Sequence, residues 1–133
     1  MGIAVPLVLQ YKVANEEAVL VTSFIENSQA LDEALNSAPT QRLAILGSVA
    51  RLVGQLHRTR WTHGALYPVH ILITHAEAVP KAHLIDLEKA KYLGNRRADL
   101  ARFWRHVDGV SVDERNHFEQ VYAGVLAGEV DTA

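Results

Sequence analysis

Two short apolar segments with polar residues at their outer ends constrain the fold of this chain more than any other feature. The segments, residues 71–73 and 82–85, are separated by turn-forming residues near 78–80, a pattern that predicts two strands of a hairpin. A polar stretch that begins at His63 precedes the first strand, and Asp86 directly follows the second. The hairpin is therefore predicted to carry two sets of polar side chains.

The polar stretch has the spacing of a known phosphoryl-transfer loop. In enzymes of the kinase fold, a loop of the form H-x-D-x-x-x-x-N supplies a base and a Mg²⁺ ligand, and a strand-end Asp further on binds the metal. His63 takes the first position of this loop, His70 takes the position of the Asn, and Asp86 ends a strand as the metal-binding Asp does.

The position of the catalytic Asp in this loop is occupied by Ala65. A methyl group can neither accept a proton from an acceptor hydroxyl nor orient that hydroxyl for attack. The sequence therefore predicts that no intact catalytic residue is present in the loop.

Together these motifs resemble the lipopolysaccharide core kinase family, which comprises heptose and Kdo kinases and is a distant branch of the protein-kinase-like fold. The resemblance rests on residues 66–72, on Leu-Ile-Asp-Leu-Glu-Lys-Ala at 84–90, and on Asp-Leu-Ala-Arg-Phe at 99–103. It covers the chain from about Gly2 to Tyr122. The departures from the family's loop are Gly64 in place of Arg, and Ala65.

The resemblance implies an α+β fold, namely the mainly helical C-terminal lobe of a protein-kinase-like domain. It also implies ATP and Mg²⁺ as cofactors, with His70 and Asp86 as their candidate ligands. It assigns His63 to supporting the loop, and Asp99 to accepting hydrogen bonds from the loop backbone. Ala65, His70 and Asp86 are then expected within about 15 Å of one another, the reach of one catalytic constellation.

The segment before the hairpin is interpreted as part of a first lobe. Residues 1–25 contain two predicted strands, at 4–11 and 18–25, and residues 26–30 are interpreted as the hinge before a helical lobe at 31–127. No glycine-rich G-x-G-x-x-G loop occurs in the sequence, and Lys12 is the only lysine before residue 81. The chain is therefore interpreted as a second lobe with two remaining strands of the first.

Four helices are predicted in the remainder of the chain. A short helix with Ser28 as its cap runs through Leu31, and the longest helix covers about residues 39–58. A third helix covers about 97–107, and a capping box at Ser111 starts the fourth. The apolar stripe of the longest helix comprises Ile45, Leu46, Val49, Leu52, Val53 and Leu56.

Several polar residues also have a purely structural interpretation. Asp86 is equally compatible with a turn at a strand end, His70 with a core histidine bonded to backbone, and Asp99 with an ordinary exposed helix acid. The arginines of the third helix are predicted to form a solvated face, with the binding of an anionic head group as the alternative. These arginines are Arg96, Arg97, Arg102 and Arg105.

Composition excludes several classes of function. A net charge of −2 gives no indication of nucleic-acid binding, and the absence of cysteine excludes disulfides and cysteine-based zinc sites. His57, His75 and His83 share no ligand spacing, so a zinc site is not expected. No apolar run is long enough to span a bilayer and no signal peptide is evident, so a cytoplasmic bacterial protein is predicted.

Three functions from different classes are compatible with these residues. The first is a kinase-like domain without catalysis, a pseudokinase that binds a partner. The second is an active ATP-dependent phosphotransferase acting on a lipopolysaccharide core sugar or another hydroxyl acceptor. In this case Glu88 or a neighbouring carboxylate replaces the base, and a second chain supplies the missing lobe. The third is a structural remnant without a ligand. Ala65 and the missing glycine-rich loop favour the first.

The predicted N-terminal strands also indicate a partner. An isolated two-stranded hairpin is only marginally stable, and its unpaired edges favour pairing with another chain. A homodimer formed through residues 5–11 and 19–25 is therefore predicted. A helix that covers the strands, or a different protein that completes the lobe, are the alternatives.

Overall fold

The computed structural model describes residues 28–75 and 79–128, so the predicted strands at 4–11 and 18–25 lie outside the described residues. The described residues form four α-helices and five short strands, which confirms the predicted α+β fold. In chain order these elements are β1 (Gln29–Ala30), α1 (Leu31–Ser37), α2 (Arg42–Arg58), β2 (Trp61–Thr62), β3 (Ile71–Thr74), β4 (Lys81–Leu84), β5 (Lys91–Tyr92), α3 (Arg96–His106) and α4 (Val112–Leu126).

Helix α2 is the centre of the core. Its predicted apolar stripe is buried, and it makes its most extensive contact with α4. Gly54 lies where the two helices approach closely, because a Cβ atom at this position would lie 3.1 Å from the Cβ of Val125. The glycine costs helix propensity but permits this packing.

The predicted hairpin is present as β3 and β4, which pair antiparallel from Ile71 opposite Leu84 to Thr74 opposite Lys81. The short strand β1 adds to the other edge of β3. The buried hydroxyl of Ser48 in α2 accepts a hydrogen bond from the backbone N–H of Ala82, at 2.9 Å. Since Ser48 belongs to the central helix, the hairpin has a defined position on the core.

A second, two-stranded ribbon joins β2 to β5, with Trp61 opposite Tyr92 and Thr62 opposite Lys91. It brings the chain before the His63 loop next to the chain after Asp86. Helix α3 follows this ribbon and packs on α4 through aromatic rings, with the ring centroids of Phe103 and Phe118 5.3 Å apart. The start of α3 is thereby held beside the loop.

Two helix starts differ from the predicted ones. Helix α2 begins at Arg42 and not at about residue 39, because Pro39–Gln41 form a separate 3₁₀ turn. Ser28 is not the cap of α1, because the helix begins directly after Ala30, whose side chain makes no capping hydrogen bond. Ala30 pairs with Leu72 in the sheet, so the chain leaves a strand and enters the helix without an intervening turn. The predicted capping box is present, since Ser111 Oγ accepts from the N–H of Glu114 and the Glu114 carboxylate accepts from the N–H of Ser111.

None of the helices within residues 28–75 and 79–128 is long and apolar enough to cross a membrane.

Candidate functional site

The loop between β2 and β3 is held by a single buried carboxylate at the start of α3. Asp99 is only 1% exposed, and its Oδ2 accepts the backbone N–H of His63 at 2.7 Å while its Oδ1 accepts that of Gly64 at 2.9 Å. The Nε2 of His57 lies 2.9 Å from Oδ2. Burial acts to raise the pKa of Asp99, but the hydrogen bonds from His57, His63 and Gly64 outweigh it and lower this pKa. Asp99 is therefore an ionised anchor for the loop backbone.

His57 extends this anchor to the last helix. Its Nδ1 lies 2.8 Å from the hydroxyl of Tyr122 in α4. An ionised Asp99 can only accept, so Nε2 of His57 carries the hydrogen of this contact. Burial raises the pKa of Tyr122, so its hydroxyl stays protonated and hydrogen-bonds to Nδ1 of His57. The contacts form one chain from α4 through α2 to the loop.

Sequence reasoning considered His57 only as a zinc ligand and missed this contact. A signal was present, because His57 directly follows Leu56 and is buried together with the apolar stripe of α2. A titratable residue within such a stripe needs a partner, and Asp99 is the buried acid that supplies it.

His63 is fully buried and links the loop to the end of β4. Its Nε2 donates to the carbonyl oxygen of Ile85 at 2.8 Å, and its Nδ1 accepts the backbone N–H of Ala65 at 3.1 Å. Burial lowers the pKa of His63, which agrees with the neutral ring that these two hydrogen bonds require. The ring holds the loop at Ala65 against the strand that leads to Asp86.

The structure brings Ala65, His70 and Asp86 together. The Nδ1 of His70 lies 2.8 Å from the carbonyl oxygen of Ala65, and its Nε2 lies 3.0 Å from Oδ2 of Asp86. His70 therefore joins the loop backbone at Ala65 to the carboxylate of Asp86. Asp86 has a φ of 60°, a left-handed conformation that is uncommon for residues other than glycine and occurs at functional sites.

At the position of the catalytic carboxylate, the methyl group of Ala65 is 7% exposed. The backbone of this residue is used structurally, because its carbonyl oxygen accepts the N–H of Tyr67 at 2.8 Å as well as the hydrogen bond from His70. The loop geometry is therefore maintained without an acid–base group at this position.

Asp86 and His70 are the residues that would hold Mg²⁺, and by themselves they supply only part of its coordination. Asp86 supplies one carboxylate, whereas Mg²⁺ prefers six oxygen ligands, and the imidazole of His70 is a nitrogen ligand already paired with Asp86. Within residues 28–75 and 79–128, no group of three or more histidine, aspartate or glutamate side chains is placed to hold a metal ion. A Mg²⁺ ion here would depend on ligands from a bound phosphate or solvent, and we derive no reaction step through it.

A cleft of about 540 Å³ opens beside the loop, on the side of β5 and α3. It is lined by polar and charged residues together with the backbone of Gly64 and Ala90. The polar lining comprises Thr62, Glu88, Lys89, Lys91, Asn95, Asp99 and Arg102. Glu88 is thus the carboxylate of the described residues that faces this cleft without being buried. One of the four arginines that were predicted to form a solvated face, Arg102, instead approaches Asp99, with 3.8 Å between its Nη1 and Oδ1 of Asp99.

Replacing Gly64 with alanine is expected to lower the free energy of unfolding by about 2 kcal/mol. Gly64 has a φ of 83°, and a Cβ atom there would overlap the carbonyl oxygen of Lys89. Gly109 is a matched control, since its φ of 73° carries the same conformational cost but no atom lies within 4 Å of its Cβ position. Urea unfolding should show a loss of only about 1 kcal/mol for Gly109→Ala. Equal losses for both variants would contradict the close approach of Lys89 to the loop.

Comparisons with known proteins were made on both sequence and structure. The lipopolysaccharide kinase (Kdo/WaaP) family matches residues 1–123 of the chain. Among solved structures, the fold is similar to that of WaaP in complex with acyl carrier protein, with a TM-score of 0.63 and 23% sequence identity. The match covers 77% of this chain and 54% of that one, so the chain spans about half the length of the solved relative. No curated protein sequence gives a significant match.

Proposed function

The chain belongs to the lipopolysaccharide kinase (Kdo/WaaP) family, and from this premise we propose that it is a member that keeps the kinase loop but has lost phosphoryl transfer. In this proposal the chain is a pseudokinase that acts through binding. The observation that carries it is Ala65, a buried methyl group at the position of the catalytic base, in a loop whose other contacts are complete.

The contacts of His63, His70 and Asp99 support this interpretation. Each of these side chains bonds to loop backbone or to the strand end, so each has a structural use that does not need a substrate. These contacts stabilise the loop conformation whether or not the chain is catalytically active. The 133 residues also contain no glycine-rich loop to hold phosphates, which weakens the case for ATP. His70 and Asp86 remain the candidate ligands for a nucleotide and its Mg²⁺.

We propose that the chain functions by binding a protein partner. The solved relative WaaP is in complex with acyl carrier protein, which shows that a protein of this fold forms such an assembly. For this chain we propose pairing through the N-terminal segment, as a homodimer or with a protein that completes the first lobe, in the cytoplasm.

Sedimentation analysis at high micromolar concentration is expected to show a dimer, because the unpaired edges of the strands predicted at 5–11 and 19–25 are then satisfied between copies. Amide hydrogen exchange should show protection of residues 4–25 that is lost on dilution. A monomer in which the same amides stay protected would contradict pairing between chains.

The alternative is an active phosphotransferase that is completed by a partner chain. The position of Glu88 favours it, since this carboxylate lines the same cleft as Gly64 and is exposed. Under this alternative Glu88 takes the proton of the acceptor hydroxyl in place of the missing aspartate.

Phosphoryl transfer from ATP to a lipopolysaccharide core acceptor is expected to be at background level for the purified chain. Loss of the base alone lowers such a rate by about 10²- to 10⁴-fold. Ala65→Asp should not restore turnover, because a base cannot replace the missing phosphate contacts. The assay compares the wild type with Ala65→Asp, Asp86→Ala and Glu88→Gln. The proposal would be overturned if the wild type transferred phosphate to the acceptor and Asp86→Ala abolished this transfer. If Glu88→Gln also lowered the transfer rate, the alternative would be established.

A further inference from the structure

The ribbon of β2 and β5 ends in an exposed apolar tip. Tyr92 is 53% exposed and Leu93 is 66% exposed, although both are large apolar residues. The ring of Trp61 lies 5.7 Å from that of Tyr92 and supports it from the opposite strand. We call Trp61, Tyr92 and Leu93 the ribbon tip.

The backbone holds Leu93 in a conformation that branched side chains disfavour. Its φ is 61° and that of Arg60, across the ribbon, is 75°. The N–H of Leu93 donates to the carbonyl oxygen of Arg60 at 2.6 Å, which fixes this geometry. Glycine or asparagine adopts such a φ more readily than leucine. Packing among residues 28–75 and 79–128 does not explain a leucine that is both strained and exposed.

The two segments of the chain that form and flank the ribbon are strongly cationic. Residues 58–62 and 88–97 contain six basic residues and one carboxylate, Glu88, whereas the whole chain has a net charge of −2. All six basic residues are exposed. They are Arg58, Arg60, Lys89, Lys91, Arg96 and Arg97. Positive charge is therefore concentrated in the segments that build the ribbon, where Lys91 pairs with Thr62 and the backbone of Arg60 bonds to Leu93.

We propose that the ribbon tip docks on the surface of an anionic lipid bilayer. Tyr92 and Leu93 enter the boundary between head groups and acyl chains, and the surrounding cations contact lipid phosphates. Because the residues around the exposed pair are basic, charge complementarity favours an anionic partner. Tyr92 and Leu93 are adjacent, exposed and apolar at the end of a two-stranded ribbon, which suits insertion between lipid head groups.

The same docking orients the cleft beside the loop. Lys89 and Lys91 belong both to the cationic segments of the ribbon and to the lining of the cleft. The cleft lining also contains Arg102. A bilayer at the ribbon tip would therefore lie next to the cleft opening. This inference goes beyond the proposed function and does not depend on whether the chain transfers phosphate.

Co-sedimentation with vesicles tests the proposal on the full chain. Vesicles of phosphatidylcholine with about one third phosphatidylglycerol are expected to bind the chain at least about tenfold more tightly than phosphatidylcholine alone, with binding weakened by salt. Tyr92→Ser combined with Leu93→Ser should weaken binding by about tenfold or more. The matched control is Leu43→Ser with Val112→Ser, since these residues are 50% and 76% exposed elsewhere and should leave binding unchanged.

A single-charge comparison tests the electrostatic part. Arg97→Gln is expected to weaken binding to the anionic vesicles about fivefold, whereas Arg105→Gln, at the far end of the same helix, should have little effect. Circular dichroism of each variant checks that it is folded. Equal binding to neutral and anionic vesicles, or full binding by the Tyr92 and Leu93 variant, would overturn the proposal. It would also be overturned if acidic acyl carrier protein bound the chain through these residues while the vesicles did not.

Discussion

Replacing Asp99 with alanine is expected to lower the free energy of unfolding by about 3–5 kcal/mol, because three buried donors lose their common acceptor. Asp99 is 1% exposed and accepts from the backbone N–H groups of His63 and Gly64 and from the ring of His57. Without the carboxylate, these donors stay buried and unpaired. Urea unfolding followed by circular dichroism measures the loss.

The matched control for this prediction is Asp113→Ala. Asp113 also lies in the first turn of a helix but is exposed, so its removal should cost no more than about 1 kcal/mol. Hydrogen exchange gives a second readout, since the amides of His63 and Gly64 should lose protection in Asp99→Ala beyond the global loss. A cost similar to that of Asp113→Ala would show that Asp99 does not anchor the loop.

Acid is expected to destabilise the chain through His83 between about pH 6.5 and pH 4. His83 is 1% exposed in β4, and burial first, with the charge of Lys81 second, lowers its pKa to about 4 from the ordinary 6.5. In this range the unfolded chain binds a proton that the folded chain does not, so stability rises with pH. The stabilisation by neutral His83 is fully present above pH 6.5 and is lost as the pH falls towards 4. The total decrease in the free energy of unfolding is about 3 kcal/mol.

The measurement is the free energy of unfolding of the wild type and of His83→Gln from pH 7.5 to pH 4. The variant should lose the part of the slope that His83 contributes, and the slope that remains is assigned to His63, whose pKa is also lowered by burial. His106→Gln, which changes an exposed histidine, should keep the full slope. The ion pair of Arg42 and Glu114 acts at lower pH, because the hydrogen bond from Arg42 lowers the pKa of Glu114 to about 2. Its contribution is present above about pH 4.5 and is lost below it. An unchanged slope in His83→Gln would contradict a buried neutral histidine.

Local patterns predicted much of the fold because they are encoded in neighbouring residues. Two short apolar segments on either side of turn-forming residues predicted β3 and β4, and the stripe from Ile45 to Leu56 predicted α2. The capping box at Ser111 predicted the start of α4. The loop spacing predicted that Ala65, His70 and Asp86 would lie together, as the 2.8 and 3.0 Å contacts of His70 show.

Features that depend on contacts between distant segments were not predicted. β1, β2 and β5 contain two residues each, too few to show the period of a strand. The contact of His57 with Tyr122 joins residues 65 positions apart and depends on how α2 packs on α4. The ribbon, and therefore the ribbon tip, also follows from such pairing. The parts of the site formed by neighbouring residues could thus be predicted from the sequence. The parts that depend on how the helices pack could not.

The most direct test of the proposed loss of catalysis is a single-turnover measurement. The chain is mixed in molar excess over radiolabelled ATP, with Mg²⁺ and lipopolysaccharide core acceptor, so that even one transfer per molecule is detected. With Ala65 in place of the base, no labelled acceptor is expected above the level of the Asp86→Ala control. Labelled acceptor formed by the wild type and absent from that control would show that the chain is an active kinase.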